Sequence, residues 1–314
     1  MMGLGTVLHR VLRPVLEGLG PRMPGEVFPA FFEMEMLQRA LIASVLVTVV
    51  AGLYGTYLML RNLSLIGDGL AHVSFGGAAL GVALGAVAPL DVALLFSIVA
   101  SVIIYELQNR EILSGDTSIA IFLTGMLAFG LVVLRLWGDG ITTDIEGYLF
   151  GSLILIDDQS LDRITTISAI ALVGLALCHR GLLAMTIDSV AARVQGLPVH
   201  LLGLWFSVSI AMIVVSMVQV IGALLVTALL VTPAATAQLI SRSFRGSLLW
   251  TQAFGLTSTL VGLYLSSELN TGSGSMIAVV AAAIFASVGL GRLIYSRFQS
   301  MESGARPVLT DSEA

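Results

Sequence analysis

Leu65-Ile66-Gly67-Asp68-Gly69-Leu70-Ala71-His72-Val73 sets a carboxylate and an imidazole four residues apart inside a run that otherwise suits only a lipid bilayer. Holding a charge in hydrocarbon is costly, so an ionisable side chain there normally faces a cavity, a partner or a transported ion. Four-residue spacing puts Asp68, His72 and Gly76 on one face of a helix. Gly77, Gly81 and Gly85 repeat the spacing on the next stripe, the small-residue pattern that lets a second backbone come close. The stretch therefore predicts a helix with one face offering ligands and the next packing. Gly67 and Gly69, either side of Asp68, predict local unwinding of the kind found at transporter sites.

The rest of the chain has the same solvent in mind. Of 314 residues, 57% are hydrophobic and 11% charged, and the mean hydropathy is +0.98; a soluble domain carries about 25% charged residues. Apolar runs predict spans near Leu37 to Leu60, Leu65 to Ala86, Val92 to Leu107, Ser118 to Trp137, Ile164 to Leu183, Leu201 to Val218, Val220 to Ile240, Leu248 to Leu265 and Ser275 to Ile294. At about 20 residues per crossing, this is an all-α polytopic bundle of about eight or nine spans, with no room for a sizeable soluble domain.

Every one of the 15 basic residues is Arg. A phosphate-binding P-loop needs a Lys, so no such motif exists here, and any ATP used on this protein's behalf is hydrolysed by another chain. The single Cys178 excludes an intrachain disulfide and a cysteine-rich zinc site, and it reads as packing. A formal charge of -5 with no basic stripe gives no support to nucleic-acid binding.

Residues 1–35 precede the first span. Leu4, Leu8, Val11 and Val15 oppose Arg10, Arg13 and Glu17, which fits an interfacial helix, and Pro21, Pro24 and Pro29 predict an extended linker after it. His9, Arg10, Arg13 and Pro14 interrupt any signal-peptide pattern, so the segment is expected to stay on the mature chain. Arg61, Arg110, Arg180, Arg193, Arg242, Arg245, Arg292 and Arg297 fall on one side of the predicted bundle, which is then the cytoplasmic side. The opposite side holds Asp139, Asp144, Glu146, Asp157, Asp158, Asp162 and Glu268, an acidic face that draws cations.

Two further stretches carry expectations. In Thr186 to Val199, Asp188 or Ser189 caps a short helix that Gly196 and Pro198 stop, on the Arg-rich side. The alternative is an ordinary connecting loop. Val220 to Ala237 is rich in small residues, with Gly222 near one end and Pro233 near the other, and reads as static packing, with a hinge or a tight crossing as the alternative. His9, His179 and His200 read as capping or interfacial residues, and Trp137, Trp205 and Trp250 as membrane-interface anchors.

Taken together, Leu60 to His72, Asp188 to Val199 and Gly222 to Ala237 resemble the membrane permease subunits of ABC importers for zinc, manganese or iron(II), the metal-ion branch of the type II importers. The resemblance covers roughly Leu37 to Ile294. It implies a permease domain over 36–296, a polar cytoplasmic tail over 297–314, and a multi-pass protein of the plasma membrane working as a homodimer. It places Asp68 and His72 at the family's intramembrane metal positions. It makes Asp188 to Val199 the coupling helix, with Asp188, Ala191, Ala192, Gly196, Leu197 and Pro198 at the ATPase contact. Implied partners are a second copy, two cytoplasmic ATPase subunits, an external solute-binding protein landing on the acidic face, and membrane lipid. No cofactor is held permanently: the metal is cargo and ATP stays on the partner. Competing expectations are a permease for cobalamin or a siderophore, and a proton-coupled secondary metal transporter. The chain departs from the pattern in its long start, about 30 residues ahead of the first span, and in its lack of Lys.

Overall fold

The computed structural model of the protein describes residues 3–85, 88–137, 148, 151 and 156–304. All regular structure among these residues is helical: α1 (Leu4–Leu19), α2 (Ala30–Glu33), α3 (Glu35–Leu60), α4 (Ile66–Ala83), α5 (Pro89–Asn109), α6 (Gly115–Trp137), α7 (Asp158–Ile187), α8 (Ser189–Val194), α9 (Val199–Ile221), α10 (Val226–Leu230), α11 (Thr232–Ile240), α12 (Phe244–Leu269) and α13 (Ser273–Gly304). Seven of them, α3, α5, α6, α7, α9, α12 and α13, are long and apolar enough to cross a membrane. The other two expected crossings are α4, with 18 residues, and the broken segment Val226–Ile240.

Helix α4 is held between α5 and α6, and its glycines explain why. A Cβ on Gly77 or Gly81 would lie 2.9 Å from the Cα of Ala93 or Pro89 on α5, so that stripe packs as its spacing predicts. Gly85 does not join it, because it lies past the helix end at φ +64° with open space around it. Gly76 also packs rather than facing a passage: a Cβ there would meet the Met126 carbonyl of α6 at 2.8 Å. Nor does the helix unwind at Asp68. Gly67 and Gly69 sit in regular helix and make room for Leu230 Cδ2 and Ile119 Cγ2, at 2.8 and 2.7 Å from the missing Cβ atoms.

The N-terminal segment is a packed strap and not an extended linker. After α1 the chain makes a 3-10 turn at Gly20–Arg22, and Phe28, Phe31 and Phe32 bury their rings, with Phe28 edge-on to Tyr264 of α12 at 5.4 Å. Pro14 lies inside α1 without ending it. The helix faces also differ from the expected ones. Leu4, Val7, Val11 and Val15 are exposed, while Leu8, Leu12 and Leu16 turn onto the core. Trp205 packs beside Tyr54 at 6.4 Å and fills the space over Gly174. Trp137 and Trp250 are exposed. Helix α13 continues to Gly304, so the start of the predicted tail is helical, and 305–314 lie outside the described residues.

Candidate functional site

Asp68 is the third residue of α4, where the first-turn N–H groups and the helix dipole favour negative charge. That turn lies inside the bundle. The Arg61 guanidinium just before it sits over the Phe206 ring, 5.4 Å from its centroid, and Phe206 is seven residues, about 10 Å, into α9. The Asp68 carboxylate accepts a 2.9 Å hydrogen bond from Thr227 Oγ1.

Thr227 reaches Asp68 because the expected span Val220 to Ile240 is not one helix. Helix α9 ends at Gly222, whose φ of +85° is costly for any residue with a Cβ. The chain then passes through a 3-10 turn (Ala223–Leu225), α10, a break at Val231 and α11. Pro233 lies in the first turn of α11, where its missing N–H breaks no helical bond, so it starts a helix and does not bend one. The unwinding that the sequence predicts beside Asp68 occurs instead in the segment facing it.

His72 follows one turn after Asp68, and side chains at this spacing are neighbours. It is only 6% exposed, and its Nδ1 is enclosed with no hydrogen-bond partner among the described residues. The other histidines all have partners. His9 bonds Gln38 at 2.9 Å, His179 the Ala176 carbonyl at 2.9 Å, and His200 the Glu106 carboxylate at 2.6 Å. A buried, unpaired imidazole is expensive unless something else uses its nitrogen. Beside a partly exposed carboxylate it offers one nitrogen and two oxygen donors, a set suited to borderline divalent metals. No third His, Cys, Asp or Glu joins them among the described residues.

At the other candidate stretch, Asp188 caps α8 by accepting from the backbone N–H groups of Val190 and Ala191, both at 2.9 Å. Gly196 closes it at φ +81°, with its N–H on Arg193 and the Leu197 N–H on the Ala192 carbonyl. The short helix is therefore real, as the capping pattern predicts. Ala192 is buried, whereas Val190 and Val194 are 69% and 84% exposed, leaving an apolar surface on a helix at the Arg-rich end.

The acidic face is less available than its composition implies. Asp139, Asp144 and Glu146 lie outside the described residues. Asp162 accepts from the Thr6 N–H at 2.7 Å and from its hydroxyl, and Glu268 accepts from the N–H groups of Glu26, Val27 and Phe28. Asp158 pairs with Arg39 at 3.3 Å. Asp157 caps α7 through the Ser160 N–H, which holds its carboxyl below the usual carboxylate range. These acids fasten the N-terminal strap and helix ends.

A profile of the ABC 3 transport family matches residues 33–290. The manganese import system permease protein ScaB of Streptococcus gordonii is 29% identical over 260 residues, covering 83% of this chain and 92% of the relative. The manganese transport system membrane protein MntC of Listeria monocytogenes is 31% identical over 253 residues, covering 81% and 89%. Among solved structures, PsaBC from Streptococcus pneumoniae in complex with Fab matches with a TM-score of 0.73 at 29% identity, over 83% of this chain and 94% of that one. An inward-facing metal-chelate type ABC transporter matches at 0.64 with 16% identity, over 91% and 98%, and shares the fold. With its long apolar helices, its type II importer fold and a family match over most of its length, the chain belongs to the ABC 3 transport family and is a multi-pass membrane permease subunit of an ABC transporter.

Proposed function

We propose that the protein is the membrane subunit of an ATP-driven importer for a divalent transition-metal ion, with manganese the first candidate and zinc or iron(II) the alternatives of the same donor chemistry. The observation that carries this reading is the buried, unpartnered His72 imidazole one turn from the Asp68 carboxylate. The names of the relatives ScaB and MntC favour manganese. One chain supplies too few ligands, and a two-fold dimer would bring two Asp68 and two His72 to a shared axis, a full shell for zinc and four of the six positions of an octahedral manganese ion. A cytoplasmic ATPase docks on the exposed face of α8, and its closure tilts the helices to expose the site alternately to each side. An external binding protein delivers the ion. A bulky cobalamin or siderophore chelate would need a wide apolar passage, and a proton-coupled carrier would have no use for α8.

The direct test is uptake of manganese into vesicles holding the permease and its ATPase, with zinc and iron(II) as competitors. Uptake that needs ATP supports the reading; uptake that follows a proton gradient without an ATPase would overturn it. Thr227 positions the carboxylate, so Thr227→Val is expected to weaken manganese uptake about tenfold through a raised apparent KM, with Thr227→Ser close to normal. At the other end, Val190→Asp with Val194→Asp puts charge on the apolar docking face. ATPase copurification is expected to fall at least about tenfold while the permease stays folded by size-exclusion chromatography.

A further inference from the structure

Beneath α1 lies an apolar groove of about 660 Å³. Leu8, Leu12 and Leu16 roof it, and its walls include Val45 and Val49 of α3 and Val261 of α12; among the described residues, Tyr264 is the one lining residue with a polar side chain. The roof belongs to residues 3–32, which precede the family-matched region. Among the ties that hold it down are Asp162 to Thr6, Gln38 to His9, and Glu268 to the backbone of Glu26, Val27 and Phe28.

The faces of α1 orient this groove. Arg10, Arg13 and Glu17 share one face, with Arg13 paired to Glu17 and to Glu35 at the start of α3. The opposite face is the exposed stripe Leu4, Val7, Val11 and Val15. A helix so divided lies in the membrane interface with its charged side to water and its apolar side in the acyl boundary. The groove is then on the hydrocarbon side. From Leu41 to Val49 of α3 it extends about 12 Å inward. Arg10 and Arg22 have no ion-pair partner among the described residues, and Arg22 adjoins Met23 in the lining. An unpaired guanidinium one residue from the lining complements a phosphate.

We propose that this groove holds one acyl chain of an anionic phospholipid, with Arg22 against its headgroup, so that the N-terminal strap is a lipid-binding addition to the permease. Native mass spectrometry of the full-length protein, purified from membranes in mild detergent, reads the bound lipid directly. One anionic phospholipid per chain is expected to be retained. Val45→Phe with Val49→Phe, and separately Val261→Phe from the other wall, are expected to lose it while eluting as folded protein. Arg22→Glu leaves the walls intact. In nanodiscs of equal phosphatidylglycerol and phosphatidylcholine it is expected to cut the preference for phosphatidylglycerol about fivefold. Lipid retained equally by folded groove-filled variants, adventitious annular lipid only, a peptide mass in the groove, or an unchanged headgroup preference in Arg22→Glu would overturn the proposal.

Discussion

His72→Ala is expected to lower ATP-driven manganese uptake by more than about tenfold, and Asp68→Ala to do the same, with the protein still reaching the membrane and binding its ATPase. The size follows from ligand arithmetic. Outer partners of a metal ligand are worth about 10–100-fold in affinity, and losing the ligand itself costs at least as much. In a two-fold dimer each substitution removes two donors from one shell. Loss of assembly is not expected, because the His72 ring makes no hydrogen bond among the described residues for the fold to lose, and Asp68 gives up one bond to Thr227. The structural alternative makes the opposite forecast. If His72 only packs, then His72→Phe, which keeps the ring and drops the nitrogens, would transport normally. Uptake and melting temperature measured on the same preparations separate the two, and full uptake by either alanine variant would remove the pair from the passage.

Gly55→Val is expected to be the most damaging single change to the fold. The Leu230 carbonyl, at the end of α10, occupies the place where a Cβ on Gly55 of α3 would stand, with Ala234 close behind at 3.7 Å. The obstacle is backbone, so no side-chain rotation relieves it. Helix α3 must move off the broken segment that carries Thr227, at a cost of about 3 kcal/mol or more. A clear fall in melting temperature is expected, together with lost uptake, because the displaced α10 no longer holds Asp68. Gly125→Ala is the control: the space around that exposed glycine of α6 is open, and no loss of stability is expected. Equal melting temperatures for Gly55→Val and Gly125→Ala would mean that the close crossing of α3 and α10 is not essential.

The candidate site is only partly legible in the sequence. Asp68 and His72 stand out because charge in an apolar run is improbable without a use, and the cap at Asp188 with the stop at Gly196 defines α8 because those signals act within a few residues. Thr227 was missed: a threonine among small and aliphatic residues has no local mark, and only the Gly222 break aims it. By hydropathy the same break falls inside a continuous span, since Val220 to Ile240 is apolar throughout and hydropathy does not register a φ of +85°. The acids of the Arg-poor side looked like a surface for partners, yet Asp162 and Glu268 tie down the strap, through backbone N–H groups that no sequence pattern advertises.

Membrane residence, the all-helical class, most crossing segments and the ionisable pair were settled by the order of residues, because each follows from local solvation and from periodicities of three or four residues. The tertiary structure alone decided which glycine faces which backbone, where a span is interrupted, and which hydroxyl meets the Asp68 carboxylate. Those outcomes depend on contacts between residues more than a hundred positions apart, such as Asp68 and Thr227, and such contacts are fixed only when the helices pack.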